Sequence, residues 1–553
     1  MKILFLMDSP EYLRFYDSVI EELAARGHDV TLAVSHGRER KPVGLEGLQA
    51  YADRVRVAGV VPEHEGMWGN VAYRLRGVMD FARYFHPAFA AAPALRARMK
   101  RKALPRAYQW LDAIPRLPSW TVRLVQQSLM ACDRAIPVSR AIAEFLRRES
   151  PDVLLVSPLV TAASEQVDWI KAARACGIRT AVCIASWDNL TNKGLLRIEP
   201  DLVVVWNDAQ KREAHEYHYM PLDRIATTGA QLFDRWFTRQ ATRDREAFCA
   251  RVGLADASPF LLFTGSSSFI SRSNVEVPFV RRWIEAVRSS DDPEVRDMPI
   301  LIRPHPYNCH EWESDPAADL PGVAVYPSRR YNPVDEQNRA DFFDSLYHCA
   351  AVVGVNTSAM IEAAILGRPV FSLSQDFSST QEGTIHFHHL LPENGGFLRV
   401  AADIETHVRQ LRDCLRDPDG ARAETQRFVA SFIRPHGVER PATPVFADTI
   451  ERLGAAPAPG AAGVPVWAYA LRVPLLAAAA PQAMATWFDR TRGPAQKRAR
   501  RATHRAGKVA GRLTGSLRRA VSIVSSRVRR RARLAGKQWQ KSVLKPLKRG
   551  VRF

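Results

Sequence analysis

Residues 2–35, KILFLMDSPEYLRFYDSVIEELAARGHDVTLAVS, decide the fold. The apolar run from Ile3 to Met7 does not alternate with polar residues, so it reads as a strand buried on both faces. Val19, Ile20, Leu23 and Ala24 follow at helical spacing, and Gly27 marks the stop. VTLAVS, 31–35 with Val30, is a second apolar strand. A strand, a helix and a strand in this order make a βαβ unit, which requires a parallel sheet.

The alternation continues outward from this unit. DVLLVSPL (152–159), a helix near 163–176, RTAVCIAS (179–186), DLVVVWN (201–207) and another helix extend the first series. A second series opens at PFLLFTGSSS (259–268). It continues through the helix FVRRWIEAVRSS (279–290), ILIRPHP (300–306), VAVYP (323–327), a helix over 335–349, AVVGVN (351–356), the helix SAMIEAAILG (358–367) and PVFSL (369–373). Residues 236–258 are polar and show no strand pattern, which places the interdomain connection there. The expected fold class is α/β, with two Rossmann-like doubly wound parallel-sheet domains. Residues 1–240 form the first half and 241–454 the second. An Ala/Pro-rich linker (455–489) and a basic amphipathic tail (490–553) follow. Residues 66–125 hold many aromatics and the basic run RARMKRKALPR (96–106), and read as an insertion of solvated helices, with an acceptor- or membrane-facing surface as the alternative. Ligands of such sheets bind beyond the carboxyl ends of the strands, in an interdomain cleft.

Seven cysteines, at 132, 176, 183, 249, 309, 349 and 414, include no C-x-x-C pair. That pattern points to a reducing compartment without a zinc site or disulfide framework. Asp8 cuts the first apolar run too early for a signal peptide, and no stretch of 18 apolar residues suggests a membrane span. The net charge of +20 is concentrated: residues 490–553 carry 22 Lys and Arg and no acid, leaving 1–489 at −2. The basicity belongs to a tail on a nearly neutral body.

Three loops at strand ends carry anion-binding chemistry. Gly265 with Ser266, Ser267 and Ser268 can bring backbone N–H groups and hydroxyls to an anion. Arg303, His305 and Pro306 end the strand that begins at Ile300. Asn356, Thr357 and Ser358 sit where a strand passes into a helix, a routine N-cap and also a phosphate seat. Glu362, one turn on, can accept hydrogen bonds from ribose hydroxyls.

With these motifs in this order the second half resembles glycosyltransferases of the GT-B type. More closely it resembles the CDP-glycerol glycerophosphotransferase-like and bacterial sialyltransferase-like groups, which carry a His-Pro motif and a downstream Ser motif. The resemblance implies that His305–Pro306 contacts the nucleotide and Thr357–Ser358 holds its phosphates. TTGAQLFDRW (227–236) is similar to the segment that precedes their interdomain crossing, and ASWDNLTNKG (185–194) to their acceptor-side loop. That loop usually has a histidine after the tryptophan, and here Asp188 follows Trp187. Trp187, Asn189 and Lys193 are then expected at the acceptor or donor group, and Gln375, Asp376 and Glu382 at the donor sugar.

An inverting transfer needs a base for the acceptor hydroxyl. Asp188 is the first candidate and Asp8, at the end of the first strand, the second. His215 and His218, with Glu213 nearby, could hold a metal, but such a pair on a surface helix is more often solvated, and HFHHL (386–390) has the same weakness. No metal and no tightly bound cofactor is expected; the nucleotide-activated donor is a substrate. In the tail, Val509, Leu513, Leu517, Val521, Val524 and Val528 form one apolar stripe among arginines, which suits an anionic membrane surface better than nucleic acid. The expectation is a cytoplasmic, peripherally membrane-associated transferase acting on a cell-envelope glycan or lipid-linked acceptor. A sugar-nucleotide epimerase of the same fold and a non-catalytic envelope-assembly protein are the alternatives.

Overall fold

The computed structural model describes residues 1–477, apart from 36–44, 59–60, 256–257, 272–274, 307, 314–316, 318, 330, 332–334, 458 and 462. The expected tail stripe and the basic run after 490 lie outside the described residues.

Thirteen strands form two wholly parallel sheets among the described residues. The first contains β1 (Lys2–Met7), β2 (Asp29–Val34), β3 (Val55–Val57), β4 (Val153–Ser157), β5 (Arg179–Cys183), β6 (Leu202–Val205) and β7 (Ile225–Thr227), in spatial order β3-β2-β1-β4-β5-β6-β7. The second contains β8 (Leu261–Thr264), β9 (Ile300–Arg303), β10 (Val323–Val325), β11 (Ala351–Gly354), β12 (Val370–Leu373) and β13 (Arg399–Ala401), in order β10-β9-β8-β11-β12-β13. Both are doubly wound Rossmann-like sheets. β1 pairs with β2 (Ile3 with Val30) on one side and β4 (Ile3 with Val153) on the other; β8 likewise lies between β9 and β11. The winding direction reverses there, so the sheets open crevices beyond Met7 and Ser157 and beyond Thr264 and Gly354.

The apolar runs became central strands because each buries both faces: Ile3 to Met7, Leu261 to Phe263 and Ile300 to Ile302 are all buried. The sequence reading missed β3, β7 and β13. Each is a three-residue strand at a sheet edge, too short and too incompletely buried to show an apolar run.

Two expectations need correction. First, the sequence boundary assigns residues up to 454 to the second half, yet helix Ala442–Ala455 packs on the first. Phe446, Ala447 and Ile450 join Tyr16, Val19 and Leu23 in one core, and Arg26 binds Asp448 (2.7 Å) and Glu451 (2.8 Å). Asp234 fastens the return crossing: it accepts from the backbone N–H groups of Ala442 (3.0 Å) and Thr443 (2.6 Å) and from Arg434 Nη2 (2.9 Å). Gly229 lies beneath that crossing with φ +91°, and a Cβ there would stand 2.7 Å from Ala442 Cβ. Second, the insertion is more than solvated helices. Gly66–Ala82 and Ser119–Ala135 enclose a buried ion network around Arg76 and Asp133, and Phe81, Tyr84, Phe85, Phe89 and Leu95 form a separate core. Its residues carry enough apolar surface to make a layer, which their charge count conceals.

Candidate functional site

A cleft of about 380 Å³ opens beyond the carboxyl ends of both sheets and is lined from both halves. Arg303 forms part of its floor. This last residue of β9 turns its guanidinium inward, where Nη1 donates to Asp341 O (3.2 Å) and Ser345 Oγ (3.0 Å). The rings of Phe342, Tyr326 and Tyr331 lie 5.3, 5.9 and 6.0 Å from it. Its Nε and Nη2 have no acceptor among the described residues, although the side chain is buried. Burial pushes its acidity up, lowering the pKa despite Tyr331 and Asp341. An apolar strand running into arginine thus sets a buried, incompletely paired guanidinium, with Tyr331 acting on it, directly beneath the cleft wall, an arrangement suited to an anion.

Pro304, His305 and Pro306 continue the wall, and Gly265, Thr357, Ser358 and Glu362 complete this side. Burial, reinforced by Arg14, pulls the His305 imidazole down to about 4, so it meets a ligand as a neutral hydrogen-bonding group. Burial pushes the Glu362 carboxyl up to about 8, against the lowering effect of Arg14. At neutral pH Glu362 is protonated and can both donate to and accept from a hydroxyl.

The Gly/Ser loop is built differently from the expected phosphate cradle. Gly265 N–H donates to Arg303 O (2.8 Å) and Ser266 N–H to the buried carboxylate of Glu276 (2.7 Å). Two backbone donors are therefore committed inside the protein. Of this loop only Gly265 lines the cleft, with Ser266 buried and Ser267 outside the wall. Asn356 is also turned away: its amide donates to Thr380 O (2.8 Å).

On the other side, Ser186 and Trp187 line the cleft, while Asp188 sits one residue behind the wall. Burial acts to raise the Asp188 carboxyl, but Lys193, His386 and a hydrogen bond from Ser186 outweigh it and hold it down to about 2. Asn189 and Asn192 donate to its two oxygens at 3.2 and 3.3 Å. Burial acts to lower the Lys193 pKa, and Asp188 and Tyr12 reverse this; its Nζ lies 3.5 Å from Tyr12 Oη. His386, from the second half, packs edge-on to Trp187 with ring centroids 4.7 Å apart. Asp8 accepts from Thr161 Oγ1 (3.0 Å). Asn189 braces the loop, its Oδ1 accepting from Ala185 N–H (3.2 Å), and does not reach the cleft.

The expected donor-sugar residues are not brought to this cleft. Gln375, Asp376 and Glu382 are exposed and absent from its wall, and Asp376 pairs with Arg282 instead. The loop after β12 is tied inward by Gln381, whose Nε2 donates to Val355 O, Ser372 Oγ and Leu373 O, and this turns the neighbouring side chains outward. The histidine pair also reads differently. His218 is buried, its Nδ1 accepting from Leu196 N–H (2.9 Å) and its Nε2 donating to Leu190 O (2.7 Å). It fastens the segment from Leu190 to Leu196 rather than facing solvent. His389 binds Glu213 (2.6 Å). No group of three or more metal-ligating side chains occurs among the described residues.

Sequence reasoning missed four arginines in the cleft wall: Arg14, Arg235, Arg239 and Arg339. With Arg303 they outnumber the two acids of the wall, Asp17 and Glu362. Arg235 is held by Asp17 and Glu21, and Arg239 by Glu336, whereas Arg14 and Arg339 have no ion-pair partner among the described residues. Phe15, Trp206, Trp236, Phe342 and Phe343 supply aromatic surface beside them. A wall with this composition can neutralise a multiply charged anion while stacking against a planar group.

No family model and no curated protein matches the chain. Among solved structures it is similar to a glycosyltransferase from Rickettsia africae ESF-5, at TM-score 0.47 and 10% identity, covering 82% of this chain and 99% of that one. It is also similar to the UDP-GlcNAc 2-epimerase from Neisseria meningitidis bound to UDP-GlcNAc, at TM-score 0.45 and 11% identity over 82% of this chain and 100% of that one. A third similarity is to the UDP-GlcNAc 2-epimerase from Methanocaldococcus jannaschii, at TM-score 0.44 and 11% identity over 82% and 100% of the two chains.

Proposed function

We propose that the chain is a transferase that takes a glycosyl or glycerophosphoryl group from a nucleotide-activated donor and passes it to a cell-envelope glycan or lipid-linked acceptor at the cytoplasmic membrane face. The observation that carries this reading is Arg303, buried with two unpartnered nitrogens at the floor of an arginine-rich cleft. In a glycosyl transfer the acceptor oxygen forms a bond to the anomeric carbon as the carbon–oxygen bond to phosphate breaks. The electron pair leaves with the nucleoside diphosphate. Arg303, Arg14 and Arg339 stabilise that charge, and Glu362 binds the ribose. Asp188 takes the acceptor proton; a carboxylate this acidic takes it late, once bond formation has acidified the hydroxyl. Lys193 and His386 hold Asp188 ionised, and Asn189 and Asn192 orient it.

The tail, with 22 cations and no acid over residues 490–553, brings the enzyme to anionic lipid, each cation near the surface contributing on the order of 1 kcal/mol at low salt. A thermal-shift screen of nucleoside di- and monophosphate donors tests the donor site, since a ligand at about 100 times its Kd adds roughly 2.7 kcal/mol of stability. Asp188→Asn should then lower turnover by about 10²–10⁴ with donor binding retained. Full turnover in Asp188→Asn and its loss in Asp8→Asn would move the base to Asp8. A donor isomerised in the absence of any acceptor would turn the reading to an epimerase. No saturable binding by any donor would leave an assembly protein that retains the fold.

A further inference from the structure

Residues 466–477, VWAYALRVPLLA, form a helix at the end of the described chain. One face lies on the body: Ala468 is buried, and Leu471, Arg472 and Leu475 are half-buried. Arg472, the helix's single charged residue, points inward, its Nε donating to Ala135 O (2.8 Å) and its guanidinium lying 4.5 Å from the Tyr469 ring centroid. The opposite face holds Val466, Trp467, Tyr469 and Val473, with relative exposures of 87, 45, 56 and 69%. A helix face turned to water is ordinarily polar. Here the indole N–H and the phenol are the only polar groups on that face, which is an apolar surface in need of a cover.

The chain itself indicates the chemistry of that cover. Residues 478–553 carry 22 Lys and Arg against one acid, Asp489. A partner reached through them must be anionic, and a second copy bearing the same charge would be repelled. An anionic bilayer meets both requirements. Its headgroups neutralise the cations, and its headgroup–acyl boundary accepts Val, Trp and Tyr with the indole N–H and phenol still hydrated. We propose that residues 466–477 are an interfacial membrane helix. It lies in the bilayer plane with Val466, Trp467, Tyr469 and Val473 inserted, and gives membrane binding a component that salt does not screen. The inference rests on the membrane reading of the tail only for the approach to the surface, and on no assumption about the reaction.

The test uses the full chain with phosphatidylglycerol-containing vesicles at low and high salt. The variant Val466→Ser/Trp467→Ser/Tyr469→Ser/Val473→Ser should melt with the wild type, because all four side chains are exposed. At high salt its partitioning should fall by about tenfold or more, because the removed side chains supply the unscreened apolar contact. Val466→Leu/Trp467→Phe/Tyr469→Phe/Val473→Leu should retain it, separating apolar insertion from a change in fold. Equal partitioning of the Ser variant and wild type at high salt overturns the proposal. If both bind equally at low salt and neither binds at high salt, the tail reading stands and the helix proposal falls. If wild-type binding is indifferent to salt and the Ser variant does not bind, the helix stands and the tail reading falls. A wild-type dimer that the Ser variant converts to monomer, with vesicle binding unchanged, would assign the face to a second copy.

Discussion

Arg76 and Arg303 are both buried, at 1 and 3% exposure, and their surroundings are opposite. Arg76 Nε donates to Asp133 (2.9 Å), while Nη1 and Nη2 donate to Asp168 (2.7 and 2.9 Å). Desolvation works against its charge, but the two carboxylates outweigh that and raise its pKa. Arg303 has neutral partners for one nitrogen, aromatic rings around its plane and nothing on Nε and Nη2 among the described residues. Its neighbouring carboxylate, Asp341, is engaged by Arg251 (2.8 Å), Arg243 (3.1 Å) and Tyr326 (2.7 Å). A buried charge that is fully paired holds structure together. One left half-paired beside a cleft costs folding energy that a hydrogen-bond acceptor can recover, and an anion most strongly.

Breaking the paired arginine should have the largest effect. Arg76→Met leaves buried Asp133 with only Lys171, 3.9 Å away, and buried Asp168 with only His64, 3.0 Å away, and should destabilise the protein by about 3–5 kcal/mol in chemical denaturation. Nucleotide affinity of the molecules that remain folded should not change. Arg303→Met should invert this pattern: stability unchanged or increased, and donor affinity reduced by about 1.5–3 kcal/mol in titration calorimetry. If Arg303→Met unfolds the protein and spares affinity, the two arginines have the same role and the contrast fails.

His305→Ala comes next. The imidazole is neutral near pH 7, so the loss should be that of an uncharged hydrogen bond, about 0.5–1.5 kcal/mol of donor affinity, and flat from pH 6 to 7.5. The smallest effect belongs to Glu362. Its carboxyl, held up to about 8, ionises as pH rises through that value and then repels the donor's phosphates by about 0.5–1 kcal/mol. Glu362→Gln should abolish this alkaline weakening. The same group affects stability. The folded state keeps a proton that the unfolded chain releases near pH 4.3, so stability should fall as pH rises between about 4.3 and 8 and level off above. A pH-independent wild-type affinity between 7 and 9 would place Glu362 away from the phosphates.

The cleft residues that could be read from sequence share one property: they sit at the ends of buried strands. Gly265, Arg303, His305, Thr357, Ser358, Glu362 and Trp187 line the cleft because each follows, within a few residues or one helical turn, an apolar run whose direction the βαβ pattern specifies. Residues assigned beyond such ends by resemblance alone did not hold position. Gln375, Asp376 and Glu382 face outward because the loop after β12 is tied inward by Gln381, a hydrogen-bond arrangement that has no periodic signature. Gly265 lines the cleft and Ser266 is buried behind it, and their N–H groups are taken by Arg303 O and Glu276, partners 38 and 10 residues away.

Arg14, Arg235, Arg239 and Arg339 could not be distinguished in the sequence from ordinary solvated arginines, because each lies on a short helix, a helix end or the first turn of a helix, where no strand pattern fixes the direction of its side chain. Their convergence depends on how the two halves dock. That docking is set by the return of helix Ala442–Ala455 to the first half, fastened by Asp234 and Arg434. His386 reaches Trp187 and Asp188 by the same docking. The sequence by itself therefore determined the strands, their parallel order within each sheet's opening unit and the end of each sheet that carries chemistry, because burial on both faces leaves a local and periodic trace. The tertiary structure alone decided which cations face one another across the cleft and which buried charges are left unpaired, because those depend on contacts between residues hundreds of positions apart.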